Sequence, residues 1–88
     1  MDVFVIAGQG YQRKLQKLRR MVLEGSSDLE VIVEVDMPRR QLSCYRCLSP
    51  INMIPYVTLK METTVGPKSS ALEIEYYMHS NCYHELIR

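Results

Sequence analysis

No stretch of this chain approaches the roughly 20 consecutive apolar residues that a bilayer-spanning helix needs. The longest candidate near the start, Val3–Ala7, is ended by Gly8. It is too short for the apolar core of a secretory signal, so neither a membrane span nor export is expected. An even cysteine count is also missing. Three cysteines leave one over in any disulfide framework, which points away from a secreted, disulfide-stapled scaffold. No Ser/His/Asp set and no paired-carboxylate signature stands out, and the expectation is a protein without enzymatic activity. Internal repeats and low-complexity tracts are absent as well, and 88 residues make one domain, 1–88.

What is present is concentrated in two short motifs. Cys44-Tyr45-Arg46-Cys47 and His79-Ser80-Asn81-Cys82 each hold two soft metal ligands with two residues between them. Thiolates and imidazole suit zinc, and four such ligands close a tetrahedral structural site. With all four positions supplied by protein, no place is left for a catalytic water. The expected ligands are Cys44, Cys47, His79 and Cys82, with zinc as the cofactor. His84 is the competing fourth ligand, but His79 matches the spacing of the first pair. A redox role for Cys44 and Cys47 is disfavoured because Leu48, Ser49 and Pro50 follow them rather than a helical pattern. Reduced, metal-ready thiols point to the nucleus or cytoplasm.

The hydrophobic periodicity predicts an α+β fold. Residues 2–7 are rich in β-branched and aromatic side chains and read as a strand. Gly8-Gln9-Gly10 reads as the turn out of it. Tyr11, Leu15, Leu18 and Val22 recur at helical spacing, and Gly25 followed by two serines is a stop signal. Residues 29–36 alternate, with Leu29, Val31, Val33 and Val35 on one face of a half-buried strand. Residues 56–65 and 71–78 form a hairpin around the turn signal Gly66-Pro67-Lys68-Ser69. A short helix, capped by Ser80 or Asn81, runs through Leu86. The order is strand, helix, strand, zinc knuckle, strand, strand, short helix: an antiparallel sheet with one main helix. The hairpin returns the second ligand pair to the first across residues 48–78.

From Cys44 onward the chain resembles the zinc finger of poly(ADP-ribose) polymerases and some DNA ligases, a treble-clef-like site. The resemblance rests on Ser43-Cys44-Tyr45-Arg46-Cys47 and on Tyr77-Met78-His79-Ser80-Asn81-Cys82-Tyr83. It covers about half the chain and leaves residues 1–43 unmatched. Met78 stands where that family has an aromatic residue. Family members bind DNA breaks, so the resemblance implies nucleic-acid contact. The paired knuckles are also similar to the zinc domain of small papillomavirus regulatory proteins, which implies protein binding.

Charge is segregated behind a net value of +1. Residues 9–24 carry Arg13, Lys14, Lys17, Arg19 and Arg20 against Glu24, a net +4; residues 28–36 carry Asp28, Glu30, Glu34 and Asp36, a net −4. Arg13, Lys17 and Arg20 share the helix face away from the apolar stripe. With Arg39, Arg40 and Arg46 they are the candidate phosphate contacts of a nucleic-acid-binding regulatory module. A bland reading competes with this. A solvated helix face explains the first three, and the net charge of about −1 on a Cys3His zinc site explains arginines beside it. The second functional reading is a small protein-interaction adaptor of viral type. Its apolar first strand would pair with a partner or with its own copy as a homodimer. Tyr76, Tyr77 and Tyr83 are expected to pack around the metal site.

Overall fold

A computed structural model describes residues 3–65 and 70–88. The element order is helix α1 (Val3–Glu24), strand β1 (Leu29–Glu34), strand β2 (Tyr56–Val65), strand β3 (Ser70–His79) and helix α2 (Ser80–Ile87). The three strands form one antiparallel sheet in the order β1-β2-β3. The architecture is therefore α+β. The expected turn at Gly66-Pro67-Lys68-Ser69 lies outside the described residues. Among those described, no helix is long and apolar enough to cross a membrane.

The strand expected over residues 2–7 is not formed. Val3–Ala7 are the opening turns of α1, and Gly8 and Gly10 lie inside that helix rather than in a turn. Strand propensity is a weak preference that depends on having a neighbouring strand. β1, β2 and β3 form the sheet without this segment, which as a helix satisfies its own backbone groups. The helix ends as expected at Gly25, whose φ is +66°. The Ser26 amide bonds to the Met21 carbonyl at 3.0 Å and the Gly25 amide to Val22 at 3.2 Å. These two bonds make a Schellman cap, which needs the left-handed conformation glycine adopts freely.

Leu15 and Leu18 of α1 are buried, with Tyr11 and Val22 packed at the margin of the core. They lie on the sheet face that carries Val57, Leu59 and Met61 of β2 and Met78 of β3, all buried. Cys82 and Leu86 of α2 close one end of this core. β2 is the central strand and is covered on its other face too, where Tyr56 and Thr58 are buried beneath the segment around Leu42. β1 departs from the half-buried strand expected at 29–36. It stops at Glu34, and of its apolar face only Leu29 packs on the core. Val31, Val33 and Val35 are 39%, 60% and 66% exposed.

Candidate metal centre

The first ligand pair sits on a small loop that folds back on itself. Leu42 accepts the Ile51 amide at 2.8 Å, and Cys44 donates to the Ser49 carbonyl at 2.8 Å. Between these bonds the chain turns tightly. The Leu48 amide bonds to the Cys44 carbonyl at 2.9 Å, and Leu48 takes φ +66°. The Cys47 amide points at Cys44 Sγ from 3.5 Å. The result is a knuckle that presents both sulfurs on one side. One backbone bond moors it: the Tyr45 amide donates to the Tyr77 carbonyl at 2.7 Å, on the edge of β3. Leu42, Cys44 and Ile51 are buried, so the loop is fastened by packing as well.

The second pair comes from the junction of β3 and α2. His79 is the last strand residue and also the N-cap of α2, where no side chain caps the helix. The cap expected at Ser80 or Asn81 is therefore displaced by one residue: both lie inside α2, beyond the strand's end. Cys82 falls in the first turn, where the positive end of the helix dipole favours a thiolate.

The four side chains converge. Cys44, Cys47, His79 and Cys82 each place one ligand atom within 4.8 Å of all the others. His79 Nδ1 is 3.3 Å from Cys47 Sγ and 3.8 Å from Cys82 Sγ. Bond lengths of about 2.3 Å to sulfur and 2.0–2.1 Å to nitrogen in a tetrahedron put such atoms about 3.6–3.8 Å apart, so the spacing suits a single ion. The other imidazole nitrogen, Nε2, lies 3.1 Å from the Pro50 carbonyl. A carbonyl only accepts, so this contact uses Nε2–H as the donor and leaves Nδ1 as the nitrogen available to a metal among the sulfurs. His84 lies in the last turn of α2, exposed and edge-on to Tyr83. The chain thus holds a Cys3His cluster able to bind a metal, a zinc-finger-like site. No known protein family, curated protein or solved structure matches the chain.

The thiols differ in their surroundings. Hydrogen bonding from the Ser49 backbone, with help from Cys44, holds the exposed Cys47 thiol down at about 6. Burial and the neighbouring Cys44 push Cys82 up to about 11. One ligand is ready as a thiolate at neutral pH, and another must surrender a proton to an incoming cation.

Of the expected tyrosine cluster, Tyr76 lies against the knuckle. Its ring is 4.8 Å from that of Tyr45, which in turn lies 5.3 Å from Tyr11 of α1. Burial raises the Tyr11 and Tyr45 pKa values. The Tyr11 hydroxyl donates to the Arg46 carbonyl, tying α1 to the knuckle. No local sequence pattern marks this Tyr11-Tyr45-Tyr76 column, because its members are far apart in sequence. Tyr77 faces the other way and binds Arg40 and Glu75.

The six candidate phosphate contacts fall into separate groups. Arg13, Lys17 and Arg20 are exposed along α1. Among the described residues none of them lies within ion-pair distance of a carboxylate. Arg46 is exposed on the knuckle. Arg39 and Arg40 lie on the sheet face opposite α1, lining a groove of about 390 Å³ with Glu34, Lys60, Glu75 and Tyr77. Arg40 donates to the Tyr77 hydroxyl at 3.0 Å, so its guanidinium is engaged within the fold.

Proposed function

We propose that this chain is a non-enzymatic regulatory module, held by structural zinc, that contacts nucleic acid through the exposed basic face of α1. Zinc is the metal because three thiolates and one imidazole form a closed soft-ligand set. The observation that carries the nucleic-acid reading is the lack of carboxylate partners for Arg13, Lys17 and Arg20 among the described residues. No described carboxylate of segment 28–36 lies within ion-pair distance of them, which favours contact with phosphates. Arg46 is exposed on the knuckle, which bonds to Tyr11 on the apolar side of α1, so it is a separate contact rather than part of this face. Arg39 and Arg40 belong to a different face and are secondary contacts at most. A module of this kind works in the nucleus or cytoplasm.

The test is salt-dependent binding of duplex and single-stranded probes by the zinc-loaded protein. Three phosphate contacts on a duplex give a log–log salt slope of about −2.7, hence about a 40-fold loss of affinity between roughly 50 and 200 mM salt. Reversing Arg13, Lys17 and Arg20 to glutamate should abolish binding while zinc content stays at one equivalent. No binding at low salt, or binding indifferent to that reversal, rejects the reading.

The alternative is a small protein-interaction adaptor; Val3–Ala7 are helical, so its docking element would not be a strand over that segment.

A further inference from the structure

β1 is an edge strand whose outward side is unusually open. The register pairs Val31 with Leu59 and Val33 with Val57. Just before the strand, the Glu62 amide bonds to the Asp28 carbonyl at 2.9 Å. Bonded and non-bonded pairs alternate in an antiparallel ladder, so Glu30, Ile32 and Glu34 exchange bonds with β2. The N–H and C=O groups of Val31 and Val33 therefore point away from the sheet. No backbone group among the described residues accepts or donates to them. Proteins normally blunt such an edge with lysine, proline or a bulge. Here it carries Val31 and Val33, with the equally exposed Val35 just beyond.

The charge pattern restricts what can occupy this edge. A second copy of β1 fits poorly. In an antiparallel self-pair centred on Val31, Glu34 meets Asp28; centred on Ile32, Glu30 meets Glu34; centred on Val33, Glu30 meets Asp36. Each register puts carboxylates opposite carboxylates, which is destabilising. The complement is a strand whose apolar side chains lie beside Val31 and Val33 while lysines or arginines alternate beside Glu30 and Glu34.

We infer that β1 accepts, by strand addition, an extended segment of a partner protein that alternates apolar and basic residues. Main-chain bonds to Val31 and Val33 supply the attachment, and the glutamates select for cations. This surface is separate from the basic face of α1, so the inference survives failure of the nucleic-acid reading.

The experiment titrates the zinc-loaded full chain with a synthetic peptide of alternating valine and lysine. The controls are an alternating valine–glutamate peptide and a block-sequence peptide of the same valine–lysine composition. Binding of the alternating cationic peptide alone, with amide protection appearing at Val31 and Val33, is the expected result. Val33→Pro removes one outward N–H without touching the bonds to β2 and should weaken binding about tenfold. The double variant Val31→Lys, Val33→Lys tests the same surface should the proline variant fold poorly, and it should weaken binding as well. Equal binding of the block peptide, or no binding at all, overturns the inference. So does a concentration-dependent dimer abolished by either variant, which would assign the edge to a second copy.

Discussion

The ring of His79 is held by Pro50: Nε2 meets the Pro50 carbonyl at 3.1 Å, and Nδ1 is thereby turned toward Cys47 and Cys82. One backbone oxygen, three residues beyond the second cysteine of the knuckle, sets the tautomer and the aim of a ligand supplied from the far end of the hairpin. Outer partners of this kind are worth about 10–100-fold in metal affinity.

Removing a ligand should therefore cost more than that range. His79→Ala and Cys44→Ser are expected to lose stoichiometric zinc, whereas His84→Ala should keep one equivalent. A structural zinc site supplies about 10–16 kcal/mol of apparent binding free energy in small peptides. A domain of this length has only about 4–13 kcal/mol of stability. Chelation should accordingly collapse the thermal unfolding transition. Metal analysis together with circular dichroism checks both points.

Metal affinity should fall with pH in two stages. Cys82, pushed up to about 11, holds its proton throughout the neutral range, so each bound ion releases at least that proton. Cys47, held at about 6, is already a thiolate above that pH and competes for a proton only below it. The slope of log affinity against pH should be positive throughout and steeper below pH 6. Competition titration against a chromophoric chelator across pH 5–8 measures it, and a flat profile contradicts the thiolate assignment.

Leu48 occupies the left-handed region at φ +66° with its side chain largely in solvent. That conformation costs an L-residue about 1–2 kcal/mol, and glycine is free of the penalty. Leu48→Gly should hold or raise the melting temperature. Leu48→Val, with a branched Cβ in the same conformation, should lower both melting temperature and zinc affinity.

Gly10 lies inside α1, and a Cβ built there meets nothing within 4 Å. Gly10→Ala should stabilise the protein by about 0.5–1 kcal/mol, the helix-interior difference between the two residues. The contrast is Gly25→Ala, where φ is +66° and the Schellman cap is strained by any side chain; it should destabilise. Denaturant unfolding of both variants with zinc bound provides the comparison. A loss of stability in Gly10→Ala would argue that the helix does not run through this position.

The amino-acid sequence by itself determined the four members of the Cys3His cluster, the buried stripe Leu15 and Leu18, the stop at Gly25 and the hairpin of β2 and β3. Each depends on residue types at short spacing along the chain, which local geometry converts directly into a face, a turn or a grip. Tertiary structure decided the rest. Val3–Ala7 joined α1 rather than the sheet, a choice between local helix bonds and long-range strand pairing. Whether Val31 and Val33 were covered turned on how far α1 reaches across its face. The Pro50 carbonyl, the Tyr11-Tyr45-Tyr76 column and the separation of Arg39 and Arg40 from the basic helix all join residues remote in sequence. Such contacts arise only when packing closes the chain on itself, and no local pattern encodes them.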